Sequence, residues 1–323
     1  MSRRNGCAPL ALVPVFRVER CKSKPETRLV HWKKVTLIGV GLLGGSLGLA
    51  LRERRLADSV FGFVRRAASV KECEQLGAVD QATRDLETAV AGAELIVLCT
   101  PIAQMRGLAE QMLPALKPGA VVTDVGSVKG RVARELEPLV AKAGGHFVGS
   151  HPMAGAEKMG VAAARADLFV KAVCVITPTP RSNGAAVAKV KRLWKSVGSR
   201  VLRLTPARHD ALVSRSSHLP HVVAATLANL VLDPAWPREQ ADLCANGFRD
   251  TTRIASGSPE MWRDIALANR ENLSRAVGTF VADLQEFRRI LKSGNVETIS
   301  RFFERAKQMR DGWAENAGAS SPE

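Results

Sequence analysis

From Val35 the chain alternates short runs that are apolar throughout with stretches in which apolar residues recur every three or four positions. The runs are VTLIG (35–39), VFGFV (60–64), ELIVLCT (94–100), AVVTDV (120–125) and HFVG (146–149). Between them, residues 45–54, 67–76, 105–116 and 129–143 read as helices. Strands without a polar face, alternating with helices, belong to a parallel sheet covered on both sides. Two further strands, 172–177 and 200–204, flank a helix at 185–197. Beyond about residue 205 the strand signal ends and the pattern is helical. There Leu273, Val277, Phe280, Leu284, Phe287 and Leu291 recur at alternating spacings of four and three. Such a stripe is a helix-packing seam, either within the domain or between subunits.

Composition narrows the class. A chain of 323 residues with 46% hydrophobic content can bury two cores. It contains no run of eighteen apolar residues, so no membrane span is expected. The six cysteines (Cys7, Cys21, Cys73, Cys99, Cys174, Cys244) are scattered, without the close pairs of a zinc site or the density of a disulfide scaffold. Reduced thiols and a cytoplasmic location are the expectation. The net charge of +16 invites a nucleic-acid reading, but residues 1–34 hold nine Lys/Arg against Glu19 and Glu26. The remaining excess is dispersed, tyrosine is absent, and no basic helix carries interleaved stacking residues. A field that draws in small anions fits better, and nucleic acid is not an expected partner. In the basic N-terminal stretch, Pro9 and Pro14 interrupt the apolar segment, which makes it a poor signal peptide.

The turn Gly39-Val40-Gly41-Leu42-Leu43-Gly44 follows a strand and opens a helix. In that context GxGxxG has a mechanism. The first glycine makes the tight turn, the second admits a pyrophosphate to the backbone, and the third lets helix pack on strand. The N–H groups around Leu42 and Leu43 then face the anion. A Rossmann-like dinucleotide-binding domain at 34–204 is therefore predicted, preceded by a basic extension at 1–33. An all-α domain at 205–315 and a disordered tail at 316–323 follow. At the end of the second strand an acidic residue normally holds the adenosine ribose; here the sequence reads Val64-Arg65-Arg66. A neutral residue followed by two guanidiniums favours the 2′-phosphate of NADP, with NAD as the alternative.

Polar groups collect where open α/β sheets place ligands, beyond the carboxyl ends of strands. They are Cys99-Thr100-Pro101, Asp124-Val125-Gly126-Ser127-Val128-Lys129 and Ser150-His151-Pro152. Thr100, Pro101 and Ser127 are thereby placed beside the nucleotide. The helical part adds His209-Asp210, Ser217-His218-Leu219-Pro220-His221 and Gly247-Phe248-Arg249-Asp250-Thr251-Thr252-Arg253. Zinc is not expected, because the histidines form no HxxxH pair and no cysteine lies near them in sequence.

Together TDVGSVK, SHPMAGAE, HD…SHLPH and GFRDTTRIA resemble the prephenate/arogenate dehydrogenase family, in matching order and spacing over residues 35–313. The resemblance implies a helical domain that dimerises, a homodimer, and an active site between the two domains. It also implies the reaction, NAD(P)-dependent oxidative decarboxylation of prephenate, or alternatively arogenate, in tyrosine biosynthesis. By motif position His151 is the base that takes the ring hydroxyl proton, a task suited to a histidine. Ser127 resembles its orienting partner. Arg253 resembles the binder of one substrate carboxylate, and His221 a contact to the side-chain end. Glu157 is similar to an acid that gates the cleft, or is a surface carboxylate. His209 either touches substrate or positions its helix. Fused regulatory or mutase segments are not expected. A β-hydroxyacid dehydrogenase would need a catalytic lysine on a glycine-led helix in the second part, and none is seen. An NADP-binding redox sensor would leave His151, Ser127 and Arg253 without a purpose.

Overall fold

A computed structural model describes residues 31–155 and 158–319. The first unit runs β1 (Trp32–Ile38), α1 (Leu42–Glu53), β2 (Ala57–Phe63), α2 (Ala67–Gln75), β3 (Gln81–Thr83), α3 (Leu86–Val90), β4 (Leu95–Leu98), α4 (Ile102–Met112), β5 (Val121–Asp124), α5 (Gly130–Lys142) and β6 (His146–Phe147). These six strands form one sheet in the order β3-β2-β1-β4-β5-β6. Every pairing in it is parallel. The order reverses between β1 and β4, and the crevice outside a reversal is where such sheets take ligands. Burial explains the unbroken apolar runs: all four residues of β4 and all four of β5 are buried between helical layers.

The run HFVG does not continue as one strand. Val148 separates β6 from β7 (Gly149–Pro152), which leaves the parallel sheet and pairs antiparallel with β8 (Val173–Thr177), His151 opposite Val175. A second sheet, β7-β8-β9, is completed by β9 (Arg200–Arg203), with α6 (Gly184–Ser196) between β8 and β9. Sequence pattern alone makes Ser150-His151-Pro152 a turn after a strand, whereas it is a strand itself. The split accompanies a change of hydrogen-bond partners: Ser150 N–H is held by the Asp124 side chain at the end of β5 and Ser150 O by Lys129 Nζ, just ahead of α5. The short β3 and α3 also lack a sequence signal, since three and five residues are too few to show a period.

The second unit is helical: α7 (Pro206–Val213), α8 (Leu219–Val231), α9 (Glu239–Asp242), α10 (Asn246–Thr252), α11 (Pro259–Ala268), α12 (Arg270–Ser293) and α13 (Val296–Ala319). Thr205 and Ser258 cap α7 and α11 by accepting from Arg208 and Met261 N–H, and proline follows each cap at the first helical position. Ile265 of α11 joins the core formed by α4, α5 and the sheet, so the two units share apolar packing. The seam along α12 changes character with position. Leu273 is buried, Val277 and Phe280 are half-buried, Phe287 lies against Phe302 and Phe303 of α13, and Leu284 and Leu291 are exposed. Helix α13 runs to Ala319, past the point at which composition predicts a disordered tail.

Candidate active site

The glycine turn divides its labour as its mechanism requires. Gly39 has φ +94°, and a Cβ there would meet Thr100 Cγ2 at 2.9 Å. A Cβ at Gly44 would strike the Gly39 carbonyl oxygen. Among the described residues nothing lies within 4 Å of a Cβ at Gly41. The protein's own packing thus demands the first and third glycines, while the second faces open space at the N-terminus of α1, where a pyrophosphate fits. Thr100, just beyond β4, supplies a second sign: its buried Oγ1 has no hydrogen-bond partner among the described residues. Such an orphan costs about 1–3 kcal/mol, and a ligand group at this edge would satisfy it. Pro101 caps α4 beside it.

Val64 follows β2, is buried, and donates its N–H to Thr83 O at 3.0 Å. Arg65 and Arg66 are exposed in the loop before α2. The structure adds a residue that sequence reading passed over. Arg84, one position beyond β3, donates from Nε to Arg65 O at 3.2 Å, which brings a third guanidinium to the same strand ends.

The histidines come from three elements and meet in the interior. His151 of β7 is buried, and its Nδ1 lies 2.9 Å from Nε2 of His209 on α7. Nδ1 of His209, a fully buried ring, lies 2.7 Å from Asp210 Oδ1. Asp210 accepts from two backbone donors at the start of α5, Lys129 N–H on Oδ1 and Gly130 N–H on Oδ2, both at 2.8 Å. A carboxylate only accepts, so His209 carries its proton on Nδ1. Its Nε2 is then the acceptor for Nδ1–H of His151, and the lone pair of His151 is left on Nε2. Both ring nitrogens of His209 are therefore engaged. This does not match a direct polar contact to substrate, one of the two expectations for it. Ser127, half-buried in the loop after β5, is not what holds His151 Nδ1; its backbone faces His218 instead. Sequence reading missed Asp210 as a functional residue, though its adjacency to His209 and place in HD was the available signal.

Electrostatics keep these rings neutral. Burial is the largest influence pulling His151 well below the ordinary 6.5, and positive charge on His209, Lys129 and His218 adds to it. His209 is also lowered, chiefly by burial, with the Asp210 hydrogen bond opposing. Burial takes His218 down to about 4, against Asp210.

His218 ends a π-helical turn, Ser214–His218, set between α7 and α8. Pro220 explains the widened turn: it has no N–H to give, and its ring would collide with the carbonyl four residues back. His218 Nδ1 is 3.2 Å from Asn269 Nδ2, while its buried Nε2 has no partner among the described residues. His221, one turn on, is half-buried, donates from Nδ1 to Ser217 O at 3.0 Å, and stacks on Trp262 of α11 at 3.6 Å between centroids. Trp262 is another residue that sequence reading did not single out. Arg253 is exposed at the start of the short turn Arg253–Ser256, which packs on α8, the helix carrying His221. Glu157 lies outside the described residues. Among the described residues no cluster of His, Cys, Asp and Glu could hold a metal, and no helix is long and apolar enough to cross a membrane.

A dinucleotide turn at the ligand edge of a parallel sheet, in one chain with buried histidines supplied partly by a helical unit, defines the class of a nicotinamide-dependent dehydrogenase. The family model "Prephenate dehydrogenase, nucleotide-binding domain" matches residues 47–203, and "Prephenate dehydrogenase, dimerization domain" matches residues 205–305. Prephenate dehydrogenase of Bacillus subtilis is 33% identical over 86% of this chain and 75% of its own length. Cyclohexadienyl dehydrogenase of Zymomonas mobilis is 31% identical over 86% of this chain and 95% of its own. The crystal structure of Aquifex aeolicus prephenate dehydrogenase with hydroxyphenyl propionate and NAD+ superposes with a TM-score of 0.82 at 32% identity, covering 87% of this chain and 98% of that one. The chain belongs to the prephenate dehydrogenase family. It is an NAD(P)-dependent oxidoreductase of tyrosine biosynthesis that oxidatively decarboxylates a cyclohexadienyl substrate.

Proposed function

We propose that the preferred reaction is oxidation of prephenate to 4-hydroxyphenylpyruvate and carbon dioxide, with NADP as the preferred acceptor and His151 as the base. The observation that carries this reading is the chain Asp210–His209–His151, which leaves an unprotonated Nε2 on a buried ring. Bound NADP+ supplies the hydride acceptor. As hydride leaves the carbon bearing the ring hydroxyl, His151 Nε2 takes the hydroxyl proton. The imidazolium that forms keeps its Nδ1–H on His209, whose own Nδ1–H remains on the Asp210 carboxylate, so negative charge backs the developing positive charge. Aromatisation drives loss of carbon dioxide and asks little of the protein. Arg253 is read as the binder of one substrate carboxylate, for which a planar guanidinium is suited. His221, held by Ser217 and Trp262, contacts the side-chain end. Ser127 lines the nucleotide edge of the cleft, and Glu157 is read as its gating acid. The helical unit is read as the surface that pairs two chains.

Steady-state kinetics with prephenate and arogenate, each with NADP and NAD, test the assignment; an arogenate preference in kcat/KM would replace prephenate as the main substrate. His151→Asn should lower kcat by about 10²- to 10⁴-fold with nucleotide affinity little changed. Since His151 must be neutral to act and burial holds it below 6.5, the acid limb of kcat should also fall below pH 6.5. Retained turnover in His151→Asn would remove it from this role.

A further inference from the structure

Beneath the histidine strand lies a buried ion pair that the reaction as described does not use. Lys129 and Asp124 are both fully buried and joined through Nζ and Oδ2. Two charges withdrawn from water are costly, and apolar residues of similar size often serve a core at least as well. A pair kept in this position therefore calls for a local reason, and its contacts supply one. Lys129 Nζ donates to Ser150 O at 2.7 Å, and Asp124 Oδ1 accepts from Ser150 N–H at 3.1 Å. Both backbone groups of the residue preceding His151 are thus held by the pair. The Ser150 hydroxyl is fixed as well, donating to Asp124 O at 2.6 Å and lying 3.0 Å from Trp194 Nε1. Asp124 Oδ2 also accepts from Gly126 N–H at 2.8 Å, next to Ser127.

Lys129 touches the histidine chain a second time. Its backbone N–H is one of the two donors on Asp210. A ring of contacts therefore closes: Lys129 Nζ to Ser150, Ser150 to His151 along the chain, His151 to His209, His209 to Asp210, and Asp210 back to Lys129 N–H. We infer that Lys129 is a positioning residue for the proton acceptor: paired with Asp124, it clamps the strand that carries His151 and sets a fixed positive charge behind its ring. The inference rests on His151 being the base.

The charge matters because of what else faces His151 among the described residues. His209 from α7, His218 from the π-helical turn and Lys129 ahead of α5 all disfavour its protonated form. Asp210 acts one ring away, through His209, and Asp124 is paired with Lys129 Nζ and accepts from Ser150 N–H. Cys174 of β8, whose thiol burial pushes well above its ordinary range, stays neutral. The two histidines are themselves lowered by burial and carry little charge at neutral pH, so Lys129 is the standing positive charge. Burial lowers Lys129 too, while Asp124 and Asp210 oppose that and favour the ammonium. Removing the charge should let His151 hold its proton to higher pH, which a merely structural lysine would not cause.

The test compares Lys129→Met with Lys129→Met/Asp124→Asn, the second sparing the fold an unpaired buried carboxylate. Each folded variant is expected to lose about 10- to 100-fold in kcat with the substrate KM changed less than about twofold. The acid limb of its kcat profile should move up by about one pH unit. A folded double variant with wild-type kcat and an unmoved acid limb would overturn the inference. On the unaltered protein with NADP+ bound, 15N NMR of the slowly exchanging lysine ammonium gives an independent check. The Lys129 Nζ should stay charged across the pH range in which kcat rises, and a neutral amine there would overturn the inference even if neither variant folds. Loss of turnover in His151→Asn beside a wild-type double variant would sink the role of Lys129 alone. Full turnover in His151→Asn would sink the base assignment beneath it.

Discussion

Asp210 shows how much one carboxylate can settle. It fixes the proton on His209, through it the tautomer of His151, and at the same time it satisfies two N–H groups at the start of α5. An asparagine cannot do all three. If its oxygen keeps His209 and Lys129 N–H, its amide N–H₂ is turned onto Gly130 N–H; reversed, it presents donors to His209 and the tautomer chain inverts. Asp210→Asn is therefore expected to lower kcat by about 10²-fold or more, with a smaller change in KM and a lower melting temperature. Steady-state kinetics and thermal melts together check it. Wild-type kcat would mean that His151 chooses its tautomer without this support. The residue was visible in HD, but sequence cannot say that a neighbour on a helix reaches back to the N–H groups of a loop 80 positions earlier.

Among the elements, the proposed site residues sit on strand ends and on the helices either side of a π-helical turn. The ends of β2 and β3 bring Arg65, Arg66 and Arg84 to one edge, with Arg84 also holding the Arg65 carbonyl. A 2′-phosphate placed there gains charge-assisted hydrogen bonds, each about 1.5–3 kcal/mol in favourable geometry. With Val64 in place of the acid at the end of β2, the carboxylate that would repel it from that position is missing. Wild-type enzyme should show higher kcat/KM with NADP than with NAD, and Arg65→Ala, Arg66→Ala and Arg84→Ala should each narrow that ratio. A tenfold preference for NAD would reverse the cofactor assignment and leave the reaction untouched. Arg65 and Arg66 were legible because they follow a strong strand. Arg84 was not, because β3 is three residues long and its place beside β2 is a pairing that only the folded sheet reveals.

Across the whole molecule, the helical unit leaves more apolar surface than one chain covers. Leu243 is 80% exposed, Val296 77% and Trp313 64%, with Leu284, Leu291 and Phe303 all above half. Large apolar residues left exposed in such number are suited to association, and a two-fold pair is the commonest closed assembly. A homodimer is expected in sedimentation at micromolar concentration. Replacing Leu284 and Leu291 together with Glu should weaken it and expose the helical unit to proteolysis. A wild-type mass of one chain would count against that assembly.

What the sequence determined on its own follows from local rules. The alternation of apolar runs with helical periods and the glycine spacing in GVGLLG work over a few residues, so they specify a parallel sheet and a dinucleotide turn, while the four polar motifs carry the resemblance from which His151 is proposed as the proton acceptor. Tertiary structure decided which groups surround His151. His151 and His209 are 58 positions apart, and Lys129 and Asp210 are 81 apart. Their contacts exist because β7 leaves the main sheet and α7 packs against the start of α5, and neither event has a period or a motif. Hydrogen bonds between such distant groups are selected by the geometry of packed elements, which the order of residues along the chain does not display.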